Sequence, residues 1–360
     1  MWPNNRLIKL FGIELPIIQA PMAGAALSDM VVAVSEAGGL GSLACALLSV
    51  ENARKELEII RQKTSRPINA NFFCHQLPRE DHAREINWRQ RLDAYYIELA
   101  AEINTSIPNS ARASFDEKMC DLLTEFHLEV VSFHFGLPDK GLLHRIRRIG
   151  AKILSSATSV SEARWLEDQG CDAIIAQGFE AGGHRGMFLT EDISTQIGTM
   201  ALVPQIVDAV KVPVIAAGGI ADARGILAAF ALGAAAVQIG TAYLHCPEAQ
   251  ISPIHRQALK DTKDNETAIT NVFTGRPGRA IVNRFVREVG PMSDTAPKFP
   301  HAAAAVAPLR AKSEIAGSAD FTPLWSGQSA RLGRELPAAD LTKQLAAEAL
   351  KNLALLQAKE

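Results

Sequence analysis

The chain has 360 residues, of which 48% are hydrophobic and 21% charged, enough for one large domain or two ordinary ones around a sizeable core. A net charge of −2 at pH 7 gives no reason to expect nucleic acid or an anionic membrane as partner. The five cysteines (Cys45, Cys74, Cys120, Cys171 and Cys246) are scattered and form no C-x-x-C pair, which argues against a disulfide framework or a zinc site and for a reducing compartment. Met1 to Arg6 lacks the apolar core of a signal peptide, and the longest small-apolar region, Ile226 to Val237, is too short to span a bilayer. A soluble, cytoplasmic protein is expected.

In chain order, one unit recurs: an amphipathic helix ends at a glycine and a β-rich run follows. Ser28-Asp29 opens a helix that stops at Gly38-Gly39, before Leu40 to Ala44. A helix through Leu143 to Ile149 stops at Gly150, before Ala151 to Leu154. Ser161 caps a helix that stops at Gly170, before Asp172 to Ala176. Asp222 caps one that stops at Gly233, before Ala236 to Gly240. A polar N-cap and a terminal glycine are the expected ends of a helix. Pro67 and Pro213 open two further β-rich runs, Pro67 to Phe73 and Pro213 to Ala217.

With Pro16 to Ala20 and Val130 to Phe135, eight strand candidates begin near positions 16, 40, 67, 130, 151, 172, 213 and 236. Most are spaced by roughly 20 to 27 residues, the length of one strand plus one helix. Apolar strands alternating with helices imply a parallel sheet covered on its outer face. Eight such units predict an α/β fold of the (β/α)8 TIM barrel type, typically about 250 residues, with a doubly wound sheet as the structural alternative. Two stretches exceed the repeat. One is a helical insert after strand three, from Cys74 to about Ser114. The other is a tail of more than 100 residues after strand eight, which ends in an amphipathic helix, Pro337 to Ala358, expected to pack on the barrel. The expected division is a barrel of residues 1–73 and 115–245, with 74–114 and 246–360 as a helical insert and cap over its mouth.

Ligands bind a barrel of this kind where the strands end. Ala20-Pro21-Met22-Ala23-Gly24 follows strand one. Strand three presents Asn69 and Asn71, and strand four presents His134. Strand six delivers Gln177 and a loop, Gly178 to Gly186, with four glycines, one histidine (His184) and one arginine (Arg185). By itself a Gly-Gly-His sequence also describes a flexible turn with a solvated histidine. Gly218-Gly219-Ile220 follows strand seven, and Gly240-Thr241-Ala242 follows strand eight. Glycine-rich loops at those two strand ends form a phosphate cradle from backbone N–H groups and helix dipoles. Gly39-Leu40-Gly41-Ser42-Leu43-Ala44 matches G-x-G-x-x-A, but it follows a helix and precedes a strand, the reverse of a dinucleotide fingerprint. Gly39 reads as a helix stop.

Asn71, Gln177 and Gln238 each carry donors and acceptors, which suits the edge of a flavin ring. One phosphate site and no adenine-binding signature favour FMN over FAD or NAD. With no H-E-x-x-H and no clustered acidic ligands, no metal is expected.

Gln19 to Gly24, Asn69 to Phe73, Ser132 to Gly136, Gln177 to Gly186, Ala216 to Ile220 and Gln238 to Thr241 resemble the successive motifs of the nitronate monooxygenases, formerly called 2-nitropropane dioxygenases. Thr274-Gly275-Arg276-Pro277 and Trp325-Ser326-Gly327-Gln328 in the tail are also similar, so the likeness runs from about residue 7 to the C-terminal helix. It implies an FMN-bearing barrel that oxidises alkyl nitronates with O2 to carbonyl compounds and nitrite, without a nicotinamide. The branch that the chain most resembles acts on propionate 3-nitronate.

By that resemblance Asn71, Gln177, Gly182, Gly219 and Gln238, Ile239, Gly240 and Thr241 contact FMN, with Gly183 and Gly218 in the same loops. Met22 and Ala23 lie under the ring, and His184 is the active-site histidine. His134 alternates with Phe133 and Phe135, and it reads equally as a substrate-pocket residue or a buried structural one. Arg185 is a candidate for holding a substrate carboxylate, or is solvated, or paired with Glu180. Arg276, Arg279 and Arg284 are other candidate anion partners, and read first as surface charges. Trp88, Tyr95 and Tyr96 read as packing. The expected partners are a small nitronate and O2, with no nucleic acid and no membrane, and a homodimer is compatible with the sequence. Two other functions fit: an FMN-dependent NADH reductase of an enoyl thioester or quinone, and a flavin-binding barrel without catalysis.

Overall fold

Eight short apolar runs form eight parallel strands. The structure, a computed structural model, describes residues 2–102 and 113–358; residues 103–112 of the expected insert lie outside them. The strands are β1 (Ile17–Gln19), β2 (Gly41–Ala44), β3 (Ile68–Phe73), β4 (Val130–His134), β5 (Lys152–Ala157), β6 (Ala173–Gln177), β7 (Gly183–His184), β8 (Val214–Ala217), β9 (Ala236–Ile239), β10 (Thr267–Thr270) and β11 (Gly278–Ile281). All but β7, β10 and β11 join one sheet of eight strands, in the order β1-β9-β8-β6-β5-β4-β3-β2. A parallel bridge from Ile18 to Leu40 and the 3.0 Å bond from Gln19 N to Leu40 O close its two edges. The fold is the (β/α)8 barrel that the repeat predicts, and not a doubly wound sheet.

Side chains alternate along each strand with the period of two that a pleated backbone imposes. On β6, Ala173 and Ile175 face the lumen while Ile174 and Ala176 join the outer layer under the helices. The helix Arg6–Phe11 puts Leu7 and Phe11 into the lumen cluster, plugging the end where the strands begin. Only the C-terminal end is left to carry a site. The helix Ala223–Ala231 is capped by Asp222 as expected. In the helix Val160–Asp168 the cap is Ser159, whose hydroxyl accepts from Glu162 N; Ser161 is already the second residue of the helix. Gly38, rather than Gly39, carries the left-handed turn after the helix Ser28–Glu36, at φ 93°. A Cβ at Gly41 would stand 2.2 Å from Val31 O, so that glycine serves close helix–strand packing.

Insert and tail share a second core. Trp88, Tyr95 and Tyr96 on the helix His82–Glu98 pack with Phe273, Phe285 and Phe321 of the tail. Trp88 Nε1 donates to Ala302 O (3.2 Å) and Tyr96 Oη to Ala305 O (2.6 Å), both on the helix Ala302–Ile315. The last helix, Ala338–Gln357, packs on the barrel as expected, on its outer layer and not over the mouth. It packs on the barrel helices Ser28–Glu36 and Ala223–Ala231, with Thr342 Oγ1 and Tyr243 Oη 2.7 Å apart in the buried seam. It closes the outer layer between the first and last barrel helices, because β9 is followed directly only by the one-turn helix Thr241–Leu244.

Candidate active site

At the C-terminal ends of the strands lies a cavity of about 370 Å³. Lumen-facing positions supply its floor: Asn71 and Phe73 from β3, His134 from β4, Ser156 from β5, Gln177 from β6, Ala217 from β8 and Gln238 from β9. Met22 and Ala23 after β1, Gly218 and Gly219 after β8, and Gly240 and Thr241 after β9 line its walls, with Gly182, Gly183 and His184 from the loop after β6. The expected residues therefore meet, with two exceptions. Ile239 is fully buried in the outer layer, because it follows the inward Gln238 by one residue and so faces the other way. Its carbonyl accepts from Ala20 N at 2.8 Å.

The second exception is Arg185. Its side chain is buried and absent from the cavity wall. Nη1 donates to Gly178 O (2.7 Å), Nη2 to Gln177 O (2.8 Å) and Nε to Gln196 Oε1 (3.0 Å). All three are loop acceptors, so the guanidinium cannot hold a substrate carboxylate. Burial, reinforced by Arg279, pushes its pKa down to about 9. Arg279 and Arg276 are likewise not surface charges. Arg279 donates to Phe179 O, and Arg276 lies 3.8 Å over the Phe135 ring and donates to Met187 O. Buried cations need such partners; together the three arginines brace the loop from Gln177 to Met187. Arg284 remains nearer the surface, paired with Glu98 and Glu288.

His184 is held in place from several sides. It forms β7, which pairs with β11 so that His184 opposes Gly278. Its Nε2 lies 2.9 Å from Thr274 Oγ1. Its ring is flanked by Trp325 (5.0 Å between centroids), Phe299 (5.3 Å), Phe135 (6.1 Å) and Phe73 (6.2 Å). Gln177 braces the loop from below: Oε1 accepts from Gly186 N (2.7 Å) and Nε2 donates to His184 O (3.0 Å).

His134 also touches the cavity, but both ring nitrogens are engaged. Nδ1 lies 3.0 Å from Ser156 Oγ and Nε2 3.1 Å from His184 O. Burial, with Arg276 and Arg185 nearby, pushes its pKa down to about 3. It is a neutral strut under the His184 loop, with both nitrogens engaged by Ser156 and the His184 carbonyl.

The residues fit a flavin mononucleotide. Oε1 of Gln238, on the cavity wall, is buried without a hydrogen-bond partner among the described residues, and a buried acceptor left so calls for a donor. Gly218 and Gly219 take φ of 111° and 73°, which a residue with a Cβ avoids. Thr241 Oγ1 accepts from Gly327 N (2.8 Å), and Ser329 Oγ donates to Gly219 O (2.7 Å), so the tail closes over both glycine loops. No carboxylate lines the cavity among the described residues.

A sequence profile described as nitronate monooxygenase matches residues 4–348. The chain belongs to the nitronate monooxygenase family. A nitronate monooxygenase of Pseudomonas aeruginosa is 40% identical over 347 residues, which cover 96% of this chain and 99% of that one. Another, of Paraburkholderia phytofirmans, is 39% identical over 348 residues, 96% of this chain and 95% of that one. Among solved structures, nitroalkane oxidase from Streptomyces ansochromogenes superimposes with a TM-score of 0.89 at 40% identity, covering 98% of this chain and 99% of that chain. FabK from Thermotoga maritima gives 0.75 at 27% identity, with both chains fully covered. Membership of this family makes the chain an oxidoreductase enzyme.

For a nitronate monooxygenase family member, the residues that sequence reasoning passed over are Phe73 and Ser156 on the barrel floor and a larger set from the tail. Thr274, Phe299, Thr322, Trp325, Gly327 and Ser329 reach the cavity or His184. The signal was present in two of the matching motifs, Thr274 to Pro277 and Trp325 to Gln328. Phe299 and Thr322 carried none.

Proposed function

We propose that the cavity holds FMN and that the enzyme oxidises alkyl nitronates with O2 to a carbonyl product and nitrite, with propionate 3-nitronate as the foremost substrate. The observation that carries this reading is the position of His184: a polar ring among aromatic neighbours, on a cavity also lined by the glycine loops after β8 and β9. Gly218, Gly219, Gly240 and Thr241 would receive the phosphate, and Asn71, Gln177 and Gln238 the ring edge, with Met22, Ala23, Gly182 and Gly183 beside it. When bound, FMN supplies the acceptor for the nitronate's electrons and the donor to O2.

The chain's own part is binding and field. His184 donates a hydrogen bond to the nitronate oxygens and so stabilises their charge; toward a neutral nitroalkane the same ring takes the α-proton. Phe73, Phe135, Phe299 and Trp325 keep water from that bond and strengthen it. His134, held neutral, positions the loop without competing for protons. A reducing compartment such as the cytoplasm fits the five cysteines, all of which are free.

The likeness to FabK keeps one rival in view, an FMN-dependent reductase using NADH. Mixing the FMN-loaded enzyme with propionate 3-nitronate in air should release nitrite with oxygen uptake, while NADH alone should leave the flavin colour unchanged. Bleaching by NADH without nitrite release from the nitronate would establish the reductase instead.

A further inference from the structure

Arg310 is the only permanent cation among the described residues that line the cavity, and no carboxylate lines it. It sits on the helix Ala302–Ile315, on the tail side of the wall, with Ser252, His255, Thr322 and Trp325 also lining the cavity. That side adjoins the His184 ring through Trp325, whose indole packs on it and whose carbonyl lies 3.1 Å from His255 Nε2. The glycine loops after β8 and β9 are closed by other tail residues, Gly327 and Ser329.

The guanidinium is oriented but not used up. Its Nε donates to Glu314 Oε1 at 2.7 Å, and the same oxygen accepts from Thr322 Oγ1 at 2.9 Å. Its two Nη atoms have no hydrogen-bond partner among the described residues. An arginine fixed along one edge presents the other as a preformed fork, the geometry that matches a carboxylate.

We propose that Arg310 receives the carboxylate of a short nitronate acid whose nitro group faces His184, so that it selects carboxylated nitronates over plain alkyl ones. This rests on the nitronate oxidation proposed above. Arg185, suited to that role by its place in the sequence, spends its donors on two loop carbonyls and Gln196 instead, and Arg310 is the cation that the cavity can reach. Thr322 and Glu314 act as positioning residues by holding the fork.

The test compares propionate 3-nitronate with propyl nitronate, equal in carbon number but lacking the carboxylate, on the FMN-loaded wild type, Arg310→Met and Arg310→Lys. For Arg310→Met the KM for propionate 3-nitronate should rise about 10- to 100-fold, the worth of a charge-assisted pair, with kcat little changed. The KM for propyl nitronate should stay within about two-fold of wild type, and Arg310→Lys should recover part of the loss. Raising ionic strength should lift KM for the acid in the wild type but not in Arg310→Met. Equal change for both substrates, no change for either, or loss of FMN from Arg310→Met with the fold intact would overturn the assignment. If the wild type releases nitrite from neither nitronate, the oxidation itself fails; if it turns over both and Arg310→Met does not discriminate, only the role of Arg310 fails.

Discussion

Nε2 of His184 and Oγ1 of Thr274 lie 2.9 Å apart although 90 residues separate them in the chain. Thr274 is 1% exposed, so water cannot replace its hydroxyl. A buried hydroxyl that meets a ring nitrogen fixes which nitrogen carries the proton and how the ring is turned. Thr274→Val keeps the shape and removes that bond. Nitrite release should fall about 5- to 10-fold, the worth of one hydrogen bond, with the pH optimum displaced and FMN content unchanged. Thr274→Ser should restore both rate and optimum. A Val variant with wild-type rate and pH profile would leave the contact without a role in turnover.

Removing the imidazole itself is the stronger test. His184→Asn should lower turnover on the order of 100-fold or more while the flavin absorbance of the purified protein persists. Steady-state nitrite assays and the visible spectrum read the two effects separately. Near-normal turnover would defeat the role given to His184.

Two buried histidines make the fold acid-sensitive. His134 is pushed down to about 3 and His255 to about 4, both chiefly by burial. Unfolded, each titrates near 6.5. Above that value neither state binds the extra proton and stability is flat. As pH falls below it the unfolded chain takes up protons that the folded chain refuses. Stability should therefore drop by about 1.4 kcal/mol per pH unit for each group until the folded values are reached. Urea midpoints measured from pH 7 to 4 check this, and His134→Asn with His255→Gln should flatten the slope.

Gly182 and Gly183 separate space from backbone angle. A Cβ at Gly182 would stand 2.5 Å from Gly327 N, the group that bonds Thr241 over the glycine loops. Gly182→Ala should push the tail segment away, and the purified protein should lose most of its FMN. At Gly183 a Cβ meets nothing within 4 Å, but φ is 70°. Gly183→Ala should cost about 1–2 kcal/mol of stability and keep FMN. Flavin content and melting temperature of the two variants distinguish the effects.

The barrel was legible because its cause is local and repeated: helix, glycine stop, apolar strand. All eight predicted starts fall within one residue of the observed strands. The loops bearing His184, Gly218 and Gly240 were legible for the same reason, since each directly follows a strand. Arg185 shows where that logic stops. It neighbours His184 in sequence, yet alternation along the chain turns it to the opposite side, into the loop's own carbonyls. His134 gave two equal readings because burial of its nitrogens depends on Ser156 and on a carbonyl from another loop.

By itself the sequence determined the strand and helix periodicity, the strand ends that carry glycine, amide and imidazole, and hence which end of the barrel carries the cavity. Local chain geometry imposes these patterns wherever they occur. Only the tertiary structure decided that Thr274, Trp325 and Arg310, all from the tail, complete the cavity wall and its surroundings, and that the last helix seals the barrel instead of capping it. Those contacts join segments with no shared period, and their partners are chosen by packing volume and by the need to satisfy buried polar groups, which no stretch of sequence reveals alone.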